Sequence, residues 1–132
     1  MKNAKVLIIG AGGLGSPAAL YLSGAGVGTI GLVDADKVDE SNLHRQVIHK
    51  ESTVGHPKVL SAKQTISEFN RHVNVVTYQE NFTPYNALRI ISEGWEIIMD
   101  ASDNAPTRYL VSDAAVIAKI PLVSGSAIQW EG

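Results

Sequence analysis

The chain has 132 residues, of which 45% are hydrophobic and 18% charged, with a formal net charge of -2. That balance suits one globular domain with one core rather than a disordered chain, and it offers no basic footprint for nucleic acid. There is no cysteine, so a disulfide framework, a thiolate zinc site and a cysteine nucleophile are all excluded within these residues. The apolar run near the amino terminus is too short for a signal peptide, and no run has membrane-spanning length. The expectation is a cytoplasmic protein that works without membrane or nucleic acid.

In chain order the pattern alternates. KVLII, residues 5–9, is a β-branched buried strand. Residues 14–26 read as a helix, with Pro17 in the first turn and Gly26 near its C-cap. TIGLVD, residues 29–34, is a second strand. Residues 35–56 are polar and irregular, with room for one short helix. Residues 57–69 carry apolar side chains at 59, 60, 62, 66 and 69, a helical stripe opened by Pro57. VNVVTY (73–78) is a third strand, 84–94 a helix closed by Gly94, and WEIIMDA (95–101) a fourth strand. Residues 104–119 form a last helix and 121–127 a fifth strand. Such alternation predicts right-handed crossovers, hence an α/β, Rossmann-like doubly wound fold: a mainly parallel sheet with helices on both faces. The chain ends just after a strand, so residues 1–132 are expected to be one nucleotide-binding domain, incomplete at its C-terminus.

The first turn is GAGGLG, with glycines at 10, 12 and 15 in the spacing G-x-G-x-x-G. Gly10 permits the tight turn, Gly12 lets backbone approach phosphate, and Gly15 lets the helix pack close to the strand. Gly13 opens the turn further. The free N–H groups at the helix start face an anion. Asp34 lies 19 residues after Gly15, at the end of the second strand, where a carboxylate accepts hydrogen bonds from ribose hydroxyls. A ligand-free tight turn is the plain alternative, but strand, glycines, helix, strand and acid fall in the required order. The motif does not separate NAD from ATP.

The loop VDADKVDESNLHRQVIHKESTVGHPK, residues 33–58, bears on that choice. A dehydrogenase needs only Asp34 from it. The loop also offers Asn42, Arg45 and Lys58; Arg45 can fork across two phosphate oxygens, while Lys58, at a helix start, acts as a point charge. Taken singly, either cation reads first as an ordinary solvated loop charge; Asp103 changes that weighing. Asp103 falls just past the fourth strand, at the carboxyl edge where open α/β folds bind ligands. It suits Mg²⁺ bridging phosphates, and it also suits the N-cap of the helix that follows. Asp100 is the second choice for the metal, though its place at the strand end favours a structural role. The four histidines at 44, 49, 56 and 72 match no simple ligand spacing. Trp95, opening its strand, reads as core or interface.

The set GAGGLG, VDADKVDESNLHRQ, GHPK, DASDN and PLVSGSAIQWEG resembles the MoeB/ThiF family, the adenylating enzymes for ubiquitin-like sulfur carriers and relatives of the ubiquitin-activating enzymes. SNLHRQVIH and DNAPTRYLVSDAAV are most similar to the eukaryotic-type adenylyltransferases and sulfurtransferases of molybdopterin synthesis and tRNA thiolation. The resemblance runs over nearly the whole chain. It implies that Gly10, Gly12 and Gly13 take ATP and that Asp34 takes its ribose. It implies that Ser41, Asn42, Leu43, His44 and Arg45 line the phosphates, that Lys58 contacts phosphate, and that Asp103 and Asn104 complete the nucleotide and Mg²⁺ site. Arg45, Lys58 and Asp103 would carry the catalytic load.

The implied partner is a ubiquitin-like sulfur-carrier protein ending in Gly-Gly, and the implied assembly a homodimer. The family's N-terminal helical extension, downstream cysteine, zinc-binding CxxC pairs and rhodanese domain are absent from these residues; structural zinc is expected only in a longer form. Two other readings compete. One is an NAD(P)-dependent oxidoreductase domain, which would use the glycine turn and Asp34 but not Arg45, Lys58 and Asp103. The other is an inactive docking half of a heterodimeric activating enzyme.

Overall fold

A computed structural model describes residues 4–10, 15–36, 55–102 and 105–124. Among them the elements run β1 (Lys5–Ile9), α1 (Gly15–Gly24), β2 (Thr29–Val33), α2 (Lys58–Phe69), β3 (Asn74–Tyr78), α3 (Ala87–Ile91), β4 (Ile97–Asp100), α4 (Ala105–Ala118) and β5 (Leu122–Ser124). The strands form one sheet in the order β3-β2-β1-β4-β5, and all four pairings are parallel.

The central strands β1 and β2 are mostly apolar runs buried at four of their five positions, because both faces of the parallel sheet are covered there, whereas β5 at the edge is exposed. Along β1 successive side chains point to opposite faces. Val6 and Ile8, with Ile30 and Leu32 of β2, pack against Ala19 and Leu22 of α1 and Val59, Ala62 and Ile66 of α2. Leu7 and Ile9, with Ile98 of β4, pack against Ile90 and Ile91 of α3 and Val111, Ala114 and Ala115 of α4. Two helices therefore cover each face, the doubly wound arrangement the sequence predicts.

Helix ends follow local chemistry. Past α1 the Gly26 N–H donates to the Ser23 carbonyl (3.3 Å) and the Val27 N–H to the Leu22 carbonyl (3.2 Å), with Gly26 at φ 87°. This is the paired-bond stop that glycine permits. The helix expected over 84–94 is shorter. Asn86 accepts the Thr83 N–H through Oδ1 (2.8 Å) and donates to the Asn81 carbonyl through Nδ2 (2.8 Å), so its side chain organises the preceding residues as a turn. Residues 125–127 of the expected fifth strand lie outside the described residues.

Trp95 does not open the fourth strand; it precedes it. The ring is buried, its indole N–H donates to the Ile90 carbonyl (3.0 Å), and it meets Tyr78 edge-on at 6.5 Å between centroids. Space for it comes from Gly31 in β2. A Cβ there would overlap Cη2 and Cζ2 of Trp95 and lie 2.9 Å from Cδ1 of Leu7.

Candidate functional site

In this strand order β1 stands between β2 and β4, and the chain winds away from it in both directions. A crevice opens outside the carboxyl ends of the strands at such a reversal. Gly10 leaves β1 there with φ 103°, and its N–H donates to the Val33 carbonyl (2.8 Å). A Cβ on it would lie 2.9 Å from the Ala101 carbonyl oxygen and 3.1 Å from the carbonyl carbon. The exits of β1 and β4 thus meet backbone to backbone, and the positive φ and the contact each call for glycine.

Asp34 leaves β2 at the same edge. Its N–H donates to the Tyr78 carbonyl (3.1 Å), and its Oδ1 accepts the Asp36 N–H (2.8 Å). This Asx turn fixes the carboxylate beside the strand end. The Asp36 carbonyl accepts the N–H of Lys58 (2.8 Å), and Asp36 Oδ2 lies 4.0 Å from Lys58 Nζ. Lys58 is the first residue of α2, and its side chain is 10% exposed. Asp34 and Lys58, far apart in the chain, are therefore joined through Asp36.

At the end of β4, Asp100 Oδ1 accepts both the N–H (3.0 Å) and the hydroxyl (2.6 Å) of Ser102. Arg108, in the first turn of α4, donates through Nε and Nη2 to the Ser102 carbonyl, each at 3.3 Å. At the end of β3, burial and a hydrogen bond to the Glu93 carboxylate push the Tyr78 phenol up to about 12. Nearby, the Arg89 guanidinium, 2.6 Å away, and then Asn86 hold the Glu80 carboxyl below its usual range.

Gly10, Asp34 and Lys58 are thus placed at one edge. Gly12, Gly13, Ser41, Asn42, Leu43, His44, Arg45, Asp103 and Asn104 lie outside the described residues. Among the described residues no three His, Asp or Glu side chains gather as a metal site, and no helix is long and apolar enough to cross a membrane. A cavity of about 390 Å³ lined by Ser112, Val116, Lys119 and Leu122 sits at the amino end of β5, away from this edge.

Sequence reasoning passed over Asp36, Ser102 and Arg108. The Asp-x-Asp spacing is a legible signal for the first, since an aspartate side chain commonly accepts the N–H two residues on. Nothing in the residue types shows that Arg108 turns back onto the exit of β4.

The sequence pattern of the ThiF family matches residues 1–132. The chain is 58% identical over 130 residues to the Dictyostelium discoideum protein named adenylyltransferase and sulfurtransferase MOCS3, covering 98% of this chain and 30% of that one. It is 54% identical over 132 residues to Aspergillus clavatus adenylyltransferase and sulfurtransferase uba4, covering all of this chain and 27% of that one. The chain therefore spans less than a third of these relatives. Among solved structures, E. coli tRNA N6-threonylcarbamoyladenosine dehydratase TcdA in complex with ATP matches with a TM-score of 0.89 at 31% identity, over 93% of this chain and 51% of that one. E. coli MccB with ATP matches with a TM-score of 0.84 at 31% identity, over 93% and 37%. These relatives bear out the resemblance and the branch it indicated, and the chain belongs to the ThiF family.

Proposed function

We propose that residues 1–132 are the nucleotide-binding part of a cytoplasmic enzyme that adenylates the C-terminal glycine of a ubiquitin-like sulfur-carrier protein with ATP. The observation that carries the reading is the contact of Gly10 with the exit of β4, with Asp34 and Lys58 held at the same edge. A glycine-rich turn, a fixed carboxylate for a ribose and a largely buried lysine side chain suit a nucleoside triphosphate. The ATP complexes of TcdA and MccB support the same choice of nucleotide.

In this reading Gly10, Gly12 and Gly13 receive the nucleotide and Asp34 accepts from its ribose. Ser41, Asn42, Leu43, His44 and Arg45 line the phosphates with Lys58, and Asn104 closes the site. Asp103 would hold Mg²⁺, which shields phosphate charge when bound. The carrier's terminal carboxylate forms a bond to the α-phosphorus of ATP. The bond from that phosphorus to the oxygen bridging towards the β-phosphate breaks, and its electron pair leaves with pyrophosphate. The attacking carboxylate is already ionised near neutral pH, its ordinary pKa being about 3.5, so no general base is required. Acceleration comes from positioning and from cations placed where charge develops. The carrier ends in Gly-Gly, and the complete enzyme pairs with a second copy.

The first test is calorimetry of the chain with ATP and Mg²⁺ and with NAD. Tighter binding of ATP is expected; equal or tighter binding of NAD overturns the reading. The second is Arg45→Ala in a complete enzyme, followed by carrier-dependent exchange of labelled pyrophosphate into ATP. A loss of roughly 10²–10³ in rate with a smaller change in ATP affinity is expected, and Arg45→Lys should recover only part.

A further inference from the structure

At the exit of β4 the Ala101 N–H and both backbone polar groups of Ser102 have partners. The Ala101 N–H donates to the Ile9 carbonyl (2.9 Å), the last rung between β4 and β1. The Ala101 carbonyl faces Gly10, at the distance only a glycine tolerates. The Ser102 N–H is taken by Asp100, and the Ser102 carbonyl by the Arg108 guanidinium. The Arg108 bonds are notable for where they come from. The first turn of α4 has no acidic residue and carries this cation instead. A positive charge at a helix N-terminus opposes the dipole, and two hydrogen bonds from a charged donor to one carbonyl offset that opposition.

We propose that Arg108 is a positioning residue for the nucleotide. By clamping the Ser102 carbonyl, it holds the Ala101–Ser102 backbone against Gly10 and sets the width of the crevice beside the glycine turn. Asp100 completes the clamp from the other side, so Ser102 is gripped at its N–H, its hydroxyl and its carbonyl. Without Arg108 the carbonyl has no described partner, and the segment is free to move away from Gly10. The inference rests on reading that crevice as the nucleotide site.

The test uses Arg108→Gln and Arg108→Lys in the 132-residue chain, with three measurements: amide hydrogen exchange at Ala101 and Ser102 without nucleotide, ATP affinity by calorimetry with Mg²⁺, and thermal melting. Arg108→Gln should speed exchange at Ser102 about tenfold, the scale of one charge-assisted hydrogen bond. It should also weaken ATP about tenfold while the melt moves little, and Arg108→Lys should recover part of both. Faster exchange with unchanged ATP affinity would make the clamp purely structural and overturn the inference, leaving the nucleotide reading intact. Failure of the unaltered chain to bind ATP would overturn both. If Arg108→Gln does not fold, Arg108→Lys decides: weaker ATP binding at a normal melt supports the clamp, and normal binding overturns it.

Discussion

Gly31 in the middle of the sheet and Gly10 at its carboxyl edge share a constraint, since a Cβ at either would collide with its surroundings. The collisions differ in kind. At Gly31 the obstacles are side chains, the Trp95 ring and Leu7, and the missing methyl is space that the core uses. At Gly10 the obstacle is the Ala101 backbone, and φ is 103°. Substituting the side chains around Gly31 can relieve its constraint. No side-chain substitution relieves the one at Gly10. A glycine in a strand weakens it, so Gly31 is explained by the side chains that cover it, the Trp95 ring first and then Leu7. Gly10 is explained by two chain segments brought together where a ligand can approach.

Breaking the first region should give the larger stability effect. Gly31→Ala is expected to cost about 3 kcal/mol, at the upper end for overpacking, because Trp95 is buried and anchored through its indole N–H. Phenylalanine lacks the two ring atoms that a Gly31 methyl would overlap, so Gly31→Ala with Trp95→Phe should be more stable than the sum of the single losses predicts. Urea titration of the four chains measures this coupling. Additive losses would mean that the ring is not the obstacle.

At the carboxyl edge the stability effect is smaller and the functional effect larger. Gly10→Ala should cost about 2 kcal/mol, from a side chain forced to positive φ and from displacement of the β4 exit. It should also weaken ATP binding at least about tenfold, because the displaced backbone borders the crevice. Gly31→Ala, once folded, should bind ATP normally. Calorimetry on both variants at a temperature where each is folded separates the regions; equal losses of affinity would erase the distinction.

The Trp95 side also carries a titration. The Tyr78 phenol, raised by burial and then by Glu93 to about 12 from 10.0, keeps its proton longer in the folded chain than in the unfolded one. Stability from this group is therefore complete below pH 10 and is lost as pH rises from 10 towards 12. The loss should reach at most about 2 kcal/mol over that window. Tyr78→Phe should flatten that part of the pH–stability curve, read by urea titration at successive pH values. An unchanged slope would show that Tyr78 does not titrate differently on folding.

The strands and their order of alternation were legible because a parallel sheet buried on both faces leaves unmistakable apolar runs, KVLII above all. The end of α1 was legible from Gly26, whose chemistry is local. Misreadings arose where a side chain acts on backbone at a distance. Asn86 shortens α3 by taking polar groups at residues 81 and 83, and Trp95 sits ahead of β4 with its N–H on Ile90. The place of Gly10 and Asp34 at the carboxyl edge of the sheet was legible from spacing. Lys58 was legible from its helix start, but its link to Asp34 passes through Asp36. The role of Arg108 depends on where β4 ends relative to α4, which no residue type encodes.

The smallest effect tests the other face of the sheet. Trp95 and Tyr78 each have a partner for their polar atom, whereas Ser23 Oγ on α1 is fully buried and has no hydrogen-bond partner among the described residues. The Ser23 carbonyl does have a role: Asn70 Nδ2 donates to it (3.0 Å) and ties the end of α2 to α1. That bond belongs to the backbone and survives substitution of the side chain. Ser23→Ala removes a desolvated hydroxyl and adds helix propensity without touching the tie. It should therefore stabilise the chain by about 1 kcal/mol, raising Tm by roughly 3–5 °C for a domain of this size. Asn70→Ala, which removes the donor and keeps Ser23, should lower Tm instead. A lower Tm in Ser23→Ala would show that the hydroxyl is hydrogen-bonded after all, for instance to an ordered water, and that both faces of the sheet satisfy their polar atoms equally.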